Sequence, residues 1–234
     1  MINIIAACGC HTGKVRLNNE DNFYFNGSIL PSQNNGTAEI LSVQQLNSAC
    51  FAVFDGMGGE KYGEEAAYIA AKTLDELINR HRLADVCDTA NNRINALSLK
   101  YGERAGSTAA IVYFKDNRIW LCNIGDSRIY RLRGGIFTQL SIDHVDKRHS
   151  VLTQHLGIFP HEMIIEPHFA DEVVAQGDKY LLCTDGLTNM LSSEDITECL
   201  TSQSCVQKAV AILINQALER GGRDNITVIV CEIL

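Results

Sequence analysis

The stretch from 107 to 140 constrains the fold most. Four short apolar or alternating runs, Ser107–Phe114, Arg118–Asn123, Ser127–Arg133 and Ile136–Leu140, follow one another with almost no chain between them. Asp116-Asn117 joins the first two and Gly134-Gly135 the last two. Two-residue connections of this kind tolerate positive φ and close antiparallel hairpins. They leave no room for the roughly dozen residues that a parallel crossover needs. Further strands are expected at Ile2–Cys10, Asp21–Phe25, Ala38–Leu46, Cys50–Phe54, Met163–His168, Asp178–Thr184 and Asn225–Ile233.

Helical spacing appears in two places, each time in a pair. Tyr62–Arg80 sets Ala66, Ile69, Ala70, Thr73, Leu74, Leu77 and Ile78 on one side, and Asp88–Tyr101 follows with Asp88 as its expected N-cap. Later, Ser193 is expected to cap a helix from Glu194 to about Leu200. Ser204–Arg220 forms another, stopped by Gly221-Gly222. Hairpin-linked strands with paired helices define an α+β chain, a β-sandwich with helix pairs packed outside it. At 234 residues the chain suits one domain, 1–234, with a core large enough to need no disulfide or structural metal.

Nine cysteines are spread along the chain without a CxxC pair, most of them inside apolar runs. They are expected to be reduced and to pack as small hydrophobes. Cys8, Cys10 and His11 match no zinc spacing and fit an alternating strand. The start MINIIAACGC lacks the basic region of a signal peptide, and no run approaches the roughly 20 apolar residues of a membrane span. A cytoplasmic protein with no membrane partner is expected. The formal net charge of −8 disfavours a nucleic-acid partner.

Five acidic clusters stand beside apolar strands: Asn19-Glu20-Asp21, Asp55-Gly56-Met57-Gly58-Gly59, Gly125-Asp126-Ser127, Thr184-Asp185-Gly186 and Arg223-Asp224-Asn225. A single Asp-Gly pair is usually a turn. Asp55-Gly56 precedes a helix and Asp185-Gly186 follows Leu181-Leu182-Cys183-Thr184, so neither closes a hairpin. Strand-end carboxylates beside glycine are the parts of a hard-cation site, because the strands fix the oxygens and glycine lets backbone carbonyls approach. Carboxylates without His or Cys suit Mg²⁺ or Mn²⁺ rather than Zn²⁺. Two such ions sharing a water make a nucleophile suited to phosphate esters. Arg16, four residues before Glu20, is placed to offer a bidentate fork to phosphate oxygens.

In this order the segments GKVRLNNEDNFYF, FAVFDGMGGEKYGEEAA, GSTAAIVYF, LCNIGDSRIYRLRGG, VLTQHLG, LLCTDGLTNML and GGRDNITVIV closely resemble the metal-dependent protein phosphatases of type 2C, the PPM family. The Met of DGMGG and the double Asn of NNED resemble its bacterial branch. The resemblance covers essentially the whole chain. It implies a four-layer αββα sandwich of two antiparallel sheets flanked by helix pairs, with two Mn²⁺ or Mg²⁺ ions between the sheets. It implies hydrolysis of phosphoserine and phosphothreonine in proteins by a metal-bridged water, without a phosphoenzyme. A Ser/Thr kinase and its targets are the implied partners. Asp55 matches the carboxylate bridging both ions and Gly56 the backbone-carbonyl ligand. Asp185 and Asp224 match ligands of the second ion. Glu20 matches an acidic residue that reaches a metal, often through water, and Asp21 the carboxylate beside it. Asp126 matches the ligand of a third, weaker site shared with Asp185, and Arg16 matches the phosphate-binding arginine. Asn225 and Ser127 are expected to shape their turns.

Two departures bear on mechanism. Some members carry a His after the Asp-Gly as the proton donor to the leaving oxygen; here Met57 stands there, which excludes that donor. His144, His149, His155, His161 and His168 cluster later in the chain and are expected to be solvated or capping. Bacterial relatives carry a flap subdomain after the Asp-His that Asp143-His144 matches. Here only Val145–Ser150 separates that pair from Val151, too short for a helical lid. The cleft is therefore expected to be open on that side, with the Gly27–Gly36 loop a surface insertion or a partial substitute. The other reading of the chain is a catalytically silent phosphatase-fold module. The complete carboxylate set counts against it, since such modules usually lose a metal ligand.

Overall fold

Asp116 and Asn117 take φ of 51° and 59°, and Gly134 and Gly135 take 55° and 81°, so both expected hairpins close through left-handed residue pairs. The computed structural model describes residues 3–31, 38–57, 62–78, 82–146, 148 and 151–234. Its first half runs β1 (Ile4–His11), β2 (Asp21–Phe25), β3 (Ser28–Ile29), β4 (Ala38–Leu46), β5 (Ala49–Met57), α1 (Gly63–Leu77) and α2 (Leu83–Tyr101). The central strands are β6 (Gly106–Ser107), β7 (Ala109–Lys115), β8 (Arg118–Ile124), β9 (Arg128–Arg133), β10 (Ile136–Gln139), β11 (Val145–Asp146) and β12 (Val151–Leu152). The chain ends with β13 (His168–Val173), β14 (Lys179–Cys183), α3 (Asp185–Thr188), α4 (Ser193–Ser202), α5 (Val206–Glu219) and β15 (Ile226–Ile233).

Two antiparallel sheets result. One has the order β10-β9-β14-β15-β1-β4 and the other β13-β8-β7-β5-β2-β3, with β6 added to the end of β5. Three apolar layers hold them. Between the sheets, Ile4, Phe23, Phe51, Phe114, Ile129, Leu182 and Ile229 interdigitate. Outside the second sheet, the alanine face of α1 (Ala66, Ala67, Ala70, Ala71) and Ile94 of α2 cover Phe54 and Ile111. Outside the first sheet, Leu200 of α4 and Val210 and Leu213 of α5 cover Leu181, Val228 and Val230. Alternation puts each strand's odd and even residues into different layers, which is why strands of both sheets are buried on both faces. The expected four-layer αββα arrangement is therefore the one observed.

Three boundaries differ from expectation. α2 starts at Leu83, not Asp88, because the Asp85 carboxylate accepts from the backbone N–H of Arg82 at 3.0 Å and so satisfies the helix start a turn earlier. α4 is capped by Ser192, whose hydroxyl accepts from Asp195 N–H at 3.2 Å, while Ser193 is already helical. The strand expected at Met163–His168 lies instead at His168–Val173, after Pro167. There Asp171 reaches Arg118, and Glu172 reaches Arg131 across the sandwich. The ladder to β8 sets that position, which apolar runs alone do not reveal. The end of the first expected helix, near Arg80, lies outside the described residues.

All nine cysteines are free and eight are buried. No helix among the described residues is long and apolar enough to cross a membrane.

Candidate active site

The acidic clusters converge at one end of the sandwich, although not always in turns. Asp21 opens β2 and lies directly opposite Asp55 of β5, which runs on through Gly56 to Met57. Asp185 starts the single-turn α3 after β14, and Asp224 precedes β15. Arg16, Glu20, Asp55, Gly56, Asp126, Asp185 and Asp224 line one cavity of about 280 Å³, together with Met57, Thr108 and Leu152. Asp21 lies beneath them, buried. Sequence separations of up to 208 residues, that of Arg16 and Asp224, are thus closed.

Backbone contacts lock the carboxylate-bearing segments together. Gly56 N–H donates to Glu20 O at 3.0 Å, and Glu20 N–H to the Asn225 side-chain oxygen at 2.8 Å. The Asn225 amide in turn donates to Thr12 O and Asn18 O, as its expected turn-shaping role requires. A Cβ on Gly56 would lie 2.1 Å from Gly63 O, and one on Gly186 would lie 1.9 Å from Asn225 O. Only glycine permits those approaches.

Four hydroxyl residues orient the site: Ser127, expected only to shape its turn, and three threonines to which the sequence assigned no role. Thr108 clamps Asp55 from both sides. Its Oγ1 accepts from Asp55 N–H at 3.0 Å, and its own N–H donates to Asp55 O at 2.8 Å. Ser127 holds that hydroxyl at 2.6 Å. Thr184 and Thr227 both donate to Asp21 Oδ2, at 2.8 and 2.6 Å. Cys10 lies 3.1 Å from the Thr227 hydroxyl and accepts from Asn19, so this thiol is wired into the site and is not a plain hydrophobe. No sequence signal gives the threonines their partners, since Thr alternating in an apolar strand reads as core.

The electrostatics are those of a site short of positive charge. Burial pushes Asp21 up to about 8 against the two threonine hydroxyls, with Asp185 and Asp224 adding to the rise. Burial, then Asp21 and Asp185, hold Asp55 well above the usual carboxylate range. Burial and Asp185 push Asp126 up to about 6. Glu20 and Asp185 are raised for the same first reason, burial. Among the described residues lining the cavity, Arg16 is the one basic side chain, and it donates to Asp224 Oδ2 at 2.7 Å. Arg128 is committed elsewhere, to Asp143 and Tyr130.

Do these residues fit divalent cations? The donor set is all oxygen, as Mg²⁺ and Mn²⁺ prefer. Asp21 Oδ1 is buried without a hydrogen-bond partner, an orphaned acceptor beside like charges. Like carboxylates directly opposite across a ladder repel, and a bound proton or a cation relieves that repulsion. As the side chains stand, no three His, Cys, Asp or Glu groups among the described residues close on a single point. Asp224 is turned to Arg16, and Asp185 accepts from the Asn189 amide at 3.0 Å. Both would swing inward to hold an ion. The chemistry and the orphaned oxygen fit the group.

Of the expected histidines, His144 accepts from Gly125 N–H at 3.1 Å and so braces the turn that carries Asp126, a structural role. His149 lies outside the described residues, as do Gly58 and Gly59 of the DGMGG motif and residues 32–36 of the Gly27–Gly36 loop. Between Asp143-His144 and Thr153 the chain makes a small hairpin, with Val145 opposite Leu152 and Asp146 opposite Val151.

Comparison with known proteins agrees with this geometry. The protein phosphatase 2C family model matches residues 37–220. That stretch leaves out Arg16, Glu20, Asp21 and Asp224. The chain is 32% identical over 247 aligned residues to the serine/threonine protein phosphatase PstP of Mycobacterium tuberculosis, covering 95% of this chain and 43% of that protein. It is 30% identical to the protein phosphatase PhpP of Streptococcus pneumoniae over 80% of this chain and 86% of that one. Its fold superposes on the crystal structure of the PstP catalytic domain in complex with two manganese ions, with TM-score 0.80, 29% identity and all of both chains covered. The chain belongs to the protein phosphatase 2C family. It spans less than half the length of the mycobacterial protein that it matches.

Proposed function

We propose that this chain is a Mn²⁺- or Mg²⁺-dependent protein-serine/threonine phosphatase. The observation that carries the reading is the convergence of Glu20, Asp55, Asp126, Asp185 and Asp224 on one cavity, with Asp21 beneath and Arg16 alone as a cation. Asp55 with the Gly56 carbonyl, and Asp185 with Asp224, would hold two ions. Glu20 and Asp21 complete the cluster from the β2 side, and Asp126 with Asp185 offers a third, weaker site. Bound there, the ions supply charge neutralisation and an acidified water. Arg16 exchanges Asp224 for phosphate oxygens and fixes the ester beside the carboxylates. Thr108 holds Asp55, and Thr184 and Thr227 hold Asp21, at fixed positions through the reaction. Met57 has no proton to give, so the leaving oxygen takes its proton from water.

Residues 1–234 form one catalytic domain whose flap is replaced by the Val145–Leu152 hairpin, leaving the cleft open on that side. Leu152 reaches the cavity rim from this hairpin. The substrates are phosphoserine and phosphothreonine proteins, and a cytoplasmic Ser/Thr kinase with its targets is the matching signalling partner.

The test is hydrolysis of p-nitrophenyl phosphate and of a phosphothreonine peptide with Mn²⁺, with chelator, and by Asp185→Asn. Activity that needs the metal and is lost in the variant supports the reading. Activity that survives either change refutes it. Phosphopeptide binding without any turnover favours the silent module instead. Arg16→Ala should raise KM more than it lowers kcat; a large fall in kcat at constant KM would contradict a phosphate-holding role.

A further inference from the structure

A second cavity, of about 500 Å³, adjoins the carboxylate site, and the two share Met57 as a common wall. β6 leads from one to the other. Gly106 lines the second cavity and Thr108 the first, two residues apart in extended chain, a separation of about 7 Å. That is also the span of two residues in an extended peptide substrate.

Much of the lining is apolar or backbone, and its basic groups are already engaged. Met57, Ala105, Gly106 and Gly157 present apolar or backbone surface. Arg104 at the rim is committed: both terminal nitrogens donate to Glu162, Nη1 at 3.0 Å, and the guanidinium lies 5.9 Å from the Phe159 ring centre. The His155 Nδ1 hydrogen is used on Leu156 O at 2.9 Å. The walls are also set by backbone. A Cβ on Gly106 would press on His155 Nδ1 at 2.8 Å and Met57 Cγ at 3.1 Å, and Gly157 holds φ at +102°.

We infer that this cleft is a substrate subsite that takes an apolar side chain one or two residues from the phosphothreonine. The inference rests on the phosphatase reading above and adds the sequence class of peptide it favours. Burying a leucine side chain there should raise kcat/KM roughly tenfold over alanine, mainly through KM.

The experiment uses the full chain with Mn²⁺ and phosphothreonine peptides in an alanine background. One Leu, Phe, Asp or Lys is scanned from two residues before to two residues after the phosphothreonine. The readout is the ratio of kcat/KM for each peptide to that of the all-alanine peptide, taken within each protein variant. Wild type should prefer Leu or Phe at one position and not Asp or Lys. His155→Trp, which fills the cleft, should bring that ratio close to one. His155→Ala, which widens it, should shift preference from Leu toward Phe and serves if the Trp variant fails to fold. Ratios near one at every position in wild type, alongside hydrolysis of p-nitrophenyl phosphate, overturn the subsite and leave the phosphatase reading standing. A preference for charged residues, or one that neither variant changes, overturns it equally. No hydrolysis of any substrate defeats the phosphatase reading, and the subsite with it.

Discussion

Asp178 and Asp185 stand at opposite ends of β14, and their surroundings are opposite too. At the Asp178 end, Arg133 donates to both carboxylate oxygens at 2.7 and 2.6 Å. Arg131 pairs with Glu172, and the Tyr180 hydroxyl donates to Glu172 at 3.0 Å. Burial alone would raise Asp178, whose side chain is 1% exposed, yet Arg133 and the Ala175 N–H hold it below the usual carboxylate range. At the Asp185 end, burial and neighbouring carboxylates drive Asp21, Asp55, Asp126 and Asp185 upward, with Arg16 as the near cation. The same residue type, on the same strands, thus does two jobs. The paired end closes the sandwich with its carboxylates neutralised by arginine. The unpaired end stores repulsion that a divalent ion relieves, and that relief is binding energy for the ion.

The comparison can be broken from either side. The largest effect is expected for Asp55→Asn. Mn²⁺-dependent turnover should fall about 1,000-fold or more, since metal assistance is worth several kcal/mol, while the melting temperature in chelator stays the same or rises. A variant that melts lower without metal would show that Asp55 is a structural residue. Next is Asp178→Asn, which leaves Arg133 half-satisfied and should cost about 2–3 kcal/mol in urea unfolding, with activity at saturating Mn²⁺ retained. Unchanged stability would remove the contrast between the two ends.

A smaller effect concerns pH. Asp21, at about 8, and Asp126, at about 6, both sit above the ordinary unfolded value of 3.8, so the folded chain binds more protons between those limits. Metal-free stability should therefore fall as pH rises from about 4 to 8, by at most about 1.4 kcal/mol per pH unit for each proton. Asp178 acts the other way: its contribution is present above 3.8 and is lost as pH falls below that. Saturating Mn²⁺ should flatten the slope between pH 6 and 8. Melting curves at several pH values with chelator and with Mn²⁺ decide this, and a slope unaffected by metal would refute the origin assigned to it. The smallest effect is Arg118→Ala, which opens an exposed pair with Asp171 and should cost only about 0.5 kcal/mol. A loss several times larger would mean that this pair, and not the ladder to β8, holds β13 in place.

Much of this was legible beforehand, and the misses share a cause. Asp116-Asn117 and Gly134-Gly135 announce their hairpins because their backbone preference is local. Asp55, Asp185 and Asp224 stand out because an acid beside glycine or a turn, after an apolar run, is a visible pattern. β13 is hidden because an exposed edge strand carries little apolar alternation, whereas the apolar run Met163–Ile165 imitates a strand. The start of α2 escaped because Asp85 inside a run led by Leu83 looks like any early helical acid. Thr108, Thr184 and Thr227 escaped because a hydroxyl in a strand shows its partner only when the neighbouring strand is in register.

By itself the sequence determined the turns, the alternation that sorts side chains into layers, and the inventory of carboxylates. Each depends on residues within a few positions of one another. Only the tertiary structure decided that Asp21 faces Asp55, that Arg16 meets Asp224 across 208 residues, and that Arg133 neutralises Asp178 while Asp185 pairs with no arginine among the described residues. Register and charge pairing are properties of strands brought together from distant parts of the chain. A change of one residue in register would turn the strand-borne groups, Asp21, Asp55 and Arg133, to the other face.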